Sequence, residues 1–162
     1  MKRLTERIMI MSATGFGLGY SPVAPGTVGS LWGVLLVLVL HPHLDWIGQV
    51  LLAACLSLLA VPLCDVAERH FGRKDPHCIV ADEYLTFSIS LIGLPIAWTT
   101  WWILPLAFAT NRFFDIVKLP PAYRLQNLPG GWGIVADDVF AALYSLAVNH
   151  LAWLAYSRWW GG

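Results

Sequence analysis

The chain is 162 residues long, 57% hydrophobic and 12% charged, with basic and acidic side chains in equal number. That charged fraction is about half of what an ordinary soluble domain carries, and zero formal net charge excludes a basic field for nucleic acid. Nine tryptophans suit a protein with two membrane interfaces, where amphipathic rings settle. Residues 1–162 read as one domain, with no internal repeat, low-complexity tract or linker.

The chain opens on MKRLTERIMIMSATGFGLGY. Its start is basic, but the apolar run is brief and broken by glycine, so it is not read as a cleaved signal peptide. The stretch TGFGLGYSPVAPGTVGS has no lysine after its glycines and no βαβ unit around it, which excludes a P-loop and a dinucleotide fingerprint. Gly26, Thr27, Gly29 and Ser30 open the next helix. Either their backbone N–H groups bind an anion, or the glycines permit close helix packing.

Five apolar segments follow. Val28–Leu40 is short for a crossing, about 20 Å at 1.5 Å per residue, so it tilts, extends backwards or is partly re-entrant. After the break HPHLD, Trp46–Cys64 is the clearest spanning helix, with Pro62 a site for a kink. Cys55 and Cys64 lie in this apolar run and read as buried free thiols; with Cys78 they form no CxxC pair or zinc spacing. A polar stretch leads to Tyr84–Ala109, too long and too punctuated for one helix. Gly93-Leu94-Pro95 marks its turning point, predicting a hairpin of two shorter helices with the second kinked near Pro105. A second polar stretch, Asn111–Asp138, precedes the last apolar helix, which ends near Tyr156. The predicted fold is therefore all-α, a polytopic membrane bundle of about five hydrophobic helical segments.

With the N-terminus cytoplasmic and each break alternating sides, nine of the ten Lys and Arg residues fall on the cytoplasmic side and only Arg158 outside. That is a strong positive-inside bias, and it supports the split at Gly93–Pro95. Of the acids only Asp45 is outside, so the polar chemistry gathers at one face.

Two acidic pairs stand there. Asp82, Thr86 and Ser90 are spaced by four, as are Asp137, Ala141, Ser145 and Asn149, so each series shares a helix face. Asp82 with Glu83, and Asp137 with Asp138, can thus be aimed at a common point by two helices. Four converging carboxylates repel unless a cation joins them, and a hard ion such as Mg²⁺ prefers oxygen ligands. The competing reading makes them exposed N-terminal helix residues, favoured by the helix dipole. Arg112, Asp115 and Lys118, at steps of three, lie along one ridge if helical. The two bases can hold phosphate oxygens while Asp115 orients them or adds a ligand; the alternative is an interfacial salt bridge. Asn127–Gly133, NLPGGWG, is a flexible approach to Asp137, either a lid or a turn. No HExxH pair, no cysteine-phosphatase spacing after Cys78 and no G-x-S-x-G elbow occurs, which leaves a metal-activated water as the best available nucleophile.

Taken in order, GFGLGYSPVAPGTVGSL, IVADE, RFFDIVK and GGWGIVADDVFAAL resemble the motifs of phosphatidylglycerophosphatase A, a bacterial inner-membrane lipid phosphatase family, over nearly the whole chain. The resemblance implies Mg²⁺-dependent hydrolysis of phosphatidylglycerophosphate to phosphatidylglycerol and phosphate at the cytoplasmic face. By position it implies catalytic Asp82, Glu83, Asp115, Asp137 and Asp138. The metal would be held by Asp82, Glu83, Asp137 and Asp138, and the substrate by Gly26, Thr27, Ser30, Arg112 and Lys118. The sequence departs from the family pattern at Thr86, Leu119, Pro129 and Ala142.

Overall fold

Asp45 starts the longest apolar run by accepting a hydrogen bond from the Gly48 amide, which satisfies one of the N–H groups that a helix leaves free at its beginning. The helix it caps, α4 (Trp46–Phe71), passes unbroken through Pro62 and stops where Gly72 turns left-handed. The computed structural model describes residues 2–96 and 98–160, and all regular structure among these residues is helical. Met1, Ala97 and the last two glycines lie outside the described residues.

The other elements are α1 (Lys2–Ala13), α2 (Pro25–Gly29), α3 (Leu31–Leu40), α5 (Ala81–Thr86), α6 (Ile103–Val117), α7 (Ala122–Leu125) and α8 (Gly131–Trp160). The all-α expectation holds. Three stretches, Pro25–His43, Trp46–Phe71 and Gly131–Trp159, are long and apolar enough to cross a membrane, rather than the five segments expected. The first of them reaches crossing length by extending backwards: α2 and α3 meet at Ser30, whose backbone is itself helical.

The two halves of the expected hairpin differ from a pair of simple crossings. The chain does turn at Gly93, whose φ is +75°. Before it, α5 and the 3-10 turn Phe87–Leu91 form a short segment in the middle of the bundle, with every residue from Ala81 to Leu91 buried except Glu83. Small and hydroxylated side chains (Thr86, Ser88, Ser90) let it fit among the longer helices. After the turn, α6 does not end at Ala109 but continues through Arg112 and Asp115 to Val117. Pro105 sits in its first turn, where a missing N–H costs no intrahelical bond, and no breaker follows until Lys118 turns left-handed.

Two features hold the long helices together. Gly131 packs the start of α8 against α4 so closely that an added Cβ would lie 2.0 Å from the Val61 carbonyl oxygen. NLPGGWG is therefore a packing turn rather than a lid. Deeper in the bundle Thr110, Ser145 and Asn149 bond to one another, and the Asn149 side-chain amide donates to the Ser90 carbonyl at 2.9 Å. These uncharged contacts join α6, α8 and the central segment where water is scarce. Cys64 is buried as expected, but Cys55 is exposed on the outer surface of α4. An apolar run predicts burial only when every face of its helix meets protein, and this one does not.

Gly131→Ala should push α4 from α8 and destabilise the fold by about 1–3 kcal/mol, measured as a lowered thermal unfolding midpoint of the detergent-solubilised protein.

Candidate active site

The start of α5, the end of α6 and the first turns of α8 come together at one end of the bundle. Asp137 and Asp138 are not at the mouth of their helix. α8 begins at Gly131, so they lie almost two turns in, and both are buried, at 6% and 4% exposure. Asp82 is equally buried at 6%. These values exclude the reading of exposed helix-start acids for three of the four paired carboxyls.

Each pair divides into an inner and an outer member. Glu83 is the outer acid of the first pair: its Oε2 lies 2.6 Å from Arg112 Nη1, and the same nitrogen is 3.0 Å from Asp115 Oδ2. The Ser30 hydroxyl lies 2.8 Å from both Glu83 Oε2 and the Gly26 carbonyl, and donates to one at a time. Asp137 is the outer acid of the second pair, with Oδ2 at 2.5 Å from Lys118 Nζ, which also reaches Gln126. The inner acids, Asp82 and Asp138, lie within hydrogen-bond reach of each other. Neither joins any ion pair among the described residues.

Adjacent residues on a helix point about 100° apart, which is why one acid of each pair turns inward and the other toward the bases. The electrostatic consequence is strong. Burial, and then the charge of Glu83, push the Asp82 carboxyl well above the ordinary carboxylate range. Burial pushes Glu83 up to about 7 even though Arg112 beside it acts in the opposite direction. At Lys118, burial works against the charged form, but the Asp137 carboxylate outweighs it and holds the amine above its usual range.

The predicted substrate-binding residues separate in the same way. Arg112 reaches the site from the turn before the last of α6, and Lys118 from the residue that caps its C-terminus. Gly26 and Ser30 meet Glu83: a Cβ on Gly26 would sit 2.0 Å from Glu83 Oε1, so only glycine leaves room for that carboxylate. Thr27, on the same short helix, is half-buried. Asp115 orients Arg112. Thr86 is fully buried and its hydroxyl donates 2.6 Å to the Asp82 carbonyl, which accommodates this departure without disturbing the acid. Ala142 packs with Ala53 and Ile89 away from the charges.

A sixth acid escaped the sequence reading. Asp75, on the loop after α4, is close enough for its charge to add to the upward push on both Asp82 and Glu83. Its φ of +44° is unusual for a residue with a side chain. It shares with Lys74, Gln126, Asn127 and Gly133 a cavity of about 260 Å³ beside the Lys118–Asp137 pair. The only hint in the sequence is an acid followed by proline shortly before Asp82.

Do these groups suit Mg²⁺? Among the described residues no three Asp, Glu, His or Cys side chains are arranged as a ready-made metal cage. Yet Asp82 Oδ1 and Asp137 Oδ1 are buried without a hydrogen-bond partner, and neither Asp82 nor Asp138 is in an ion pair among the described residues. Oxygen donors in this number fit an ion that usually takes one or two carboxylates and completes its shell with water and substrate phosphate.

The sequence model of the phosphatidylglycerophosphatase A family matches residues 11–153. The chain belongs to that family. It is 41% identical over 138 residues to phosphatidylglycerophosphatase A of Haemophilus influenzae, covering 84% of this chain and 83% of that protein. It is 33% identical over 137 residues to the Escherichia coli protein of the same name, covering 84% and 78%. A Bacteroides thetaiotaomicron protein named "Putative phosphatidylinositol-3-phosphatase" is 33% identical over 154 residues, 93% of each chain. No solved structure matches. Membership makes this chain a phosphatase of phosphatidylglycerol metabolism.

Gly26→Ala should displace Glu83 and lower phosphate release at least tenfold with the protein still folded; steady-state kinetics beside a thermal melt check this. Asp75→Asn should lower the same rate severalfold, a smaller effect because Asp75 is exposed.

Proposed function

We propose that this chain hydrolyses the terminal phosphomonoester of phosphatidylglycerophosphate, with Mg²⁺ as cofactor, at the cytoplasmic face of a bacterial inner membrane that its long helices cross. The observation that carries this reading is the pairing of the inner acids Asp82 and Asp138, which join no ion pair among the described residues, beside Glu83 and Asp137, the acids paired with Arg112 and Lys118. Two buried carboxylates in contact cannot both ionise without a cation.

Asp82 and Asp138 would hold the ion, with the free oxygen of Asp137 and the carboxylate of Glu83 the nearest further donors. When bound, Mg²⁺ supplies charge neutralisation at the phosphoryl oxygens and a more acidic water. The protein's own groups do the rest. The terminal phosphate of the headgroup exchanges places with the carboxylates now held by Arg112 and Lys118, so that the guanidinium grips two of its oxygens and the ammonium a third. Asp115 keeps Arg112 in position. Water attacks the phosphorus, the bond to the glycerol oxygen breaks, and that oxygen takes up a proton. Glu83 and Asp137, released from their bases by the arriving phosphate, are the two groups placed to accept the proton of the attacking water. The cavity beside Asp75 and Gln126 gives the headgroup a polar route to this point.

The positive-inside count, nine bases on the assigned cytoplasmic side against Arg158 alone outside, supports this sidedness. A channel or transporter reading needs charged groups deep in the bundle. The deep polar cluster of Thr110, Ser145, Asn149 and Ser90 is uncharged and internally bonded. The name of the Bacteroides relative brings phosphatidylinositol 3-phosphate into the substrate panel, since it too presents a phosphomonoester on a lipid headgroup.

Purified protein should release phosphate from phosphatidylglycerophosphate with Mg²⁺ and lose that activity in EDTA, with recovery on adding Mg²⁺ back. Asp138→Asn and Glu83→Gln should each fold and retain at most about one hundredth of the rate, the scale of losing one electrostatic contributor to a transition state. Full activity in both variants, or activity indifferent to EDTA, overturns the assignment.

A further inference from the structure

We propose that the groove between α1 and the glycine-rich turn Gly15–Tyr20 is a docking site for an anionic phospholipid, separate from the carboxylate centre. α1 has 12 residues and spans about 18 Å, too short to cross a bilayer. One face of it is spoken for: Met9 and Ala13 pack against Leu63, Cys64 and Ala67 in the core. At about 100° per residue, Leu4, Ile8 and Met11 fall within an arc of about 60° on the opposite face. They are 65%, 52% and 50% exposed. An apolar stripe turned away from the protein on an amphipathic helix is the pattern of a helix lying in a membrane interface.

Charge says which lipids it meets. Arg3 and Arg7, both exposed, each precede a stripe residue and flank the stripe on one side. Beyond the helix the apolar surface continues in Phe16, Tyr20 and Val23, at 59%, 58% and 73% exposure. Between helix and turn lies a cavity of about 440 Å³, walled by Met11, Phe16 and Tyr20 and lined on its polar side by Arg7, Thr14 and His70. Among the described residues no acidic side chain lines it. A phosphodiester held near Arg7 would leave its acyl chains along the Leu4–Ile8–Met11 stripe, which is the arrangement of one phospholipid seen from the side. A zwitterionic headgroup would bring a cation to a wall that offers it no carboxylate.

The unit is rigidly tied to the reaction centre but shares no residue with it. Val80 donates its amide to the Ala13 carbonyl at 2.9 Å, and the Tyr84 hydroxyl donates to the Ser12 carbonyl at 3.0 Å. Both donors belong to the segment that carries Asp82 and Glu83. A lipid docked on α1 thus holds the bilayer surface at a fixed height relative to the site. The inference rests on the reading that the chain sits in a membrane, not on the reaction it catalyses.

The test is fluorescence anisotropy of nitrobenzoxadiazole-labelled phosphatidylglycerol with the full-length protein in non-ionic detergent, and labelled phosphatidylcholine as the comparison. Phosphatidylglycerol should bind the more tightly. Arg7→Gln should weaken it about fivefold, the worth of one basic residue at an anionic surface, without changing phosphatidylcholine binding. His70→Gln should act in the same direction, and Ile8→Asn should weaken both lipids. Arg112→Gln and excess inorganic phosphate should leave binding unchanged. Equal binding of the two lipids, no effect of Arg7→Gln, or loss of binding in Arg112→Gln overturns the proposal, the last by placing the lipid in the reaction centre. A protein that binds phosphatidylglycerol selectively but releases no phosphate leaves this site standing and removes the proposed reaction.

Discussion

Two carboxyls buried against each other without a base are costly, and the rest of this structure is organised around holding Asp82 and Asp138 in that position. The cost cannot be met by water, because neither acid is more than 6% exposed. It is met by the frame. α5 carries Asp82 on a short segment buried except at Glu83, and α8 carries Asp138 almost two turns inside a long helix pinned to α4 through Gly131. Such a pair is stable in place only because the helices on which it stands are fixed by contacts elsewhere.

Around that pair the remaining charges are sorted rather than pooled. Glu83 and Asp137 face outward onto Arg112 and Lys118, so the bases are already poised at the distance at which they could exchange a carboxylate for a phosphate. Asp115 and Ser30 hold the first of these pairs in place from two sides. The close fit of Gly26 against Glu83 shows that the glycine-rich segment contributes shape at the site: it supplies the space in which a carboxylate can lie against backbone. The two accounts of those glycines, anion binding and close packing, are therefore not exclusive, but packing is the one that the contacts display.

Much of this was legible in the order of residues. Apolar runs and their breaks located the long helices, and period-four spacing aligned Asp137, Ala141, Ser145 and Asn149 along one stripe of α8, all four buried. The same rule did less well in α5, where the helix tightens to 3-10 geometry after Thr86 and the spacing of four no longer describes one face. The hydropathy of Tyr84–Ala109 suggested two crossings, because a segment buried in protein and one buried in lipid are equally apolar. Asp75 was missed because its relevance comes from a loop that folds back over the site, which no local pattern records.

By itself the sequence determined that the chain is helical and apolar, and that it carries two acidic pairs and the bases Arg112 and Lys118 at the borders of its apolar runs. Those properties depend on composition, periodicity and neighbours along the chain. Only the tertiary structure decided which acid of each pair meets the other and which meets a base. That choice depends on the rotation of α5, α6 and α8 about their own axes, and helix rotation is set by packing contacts between residues far apart in sequence.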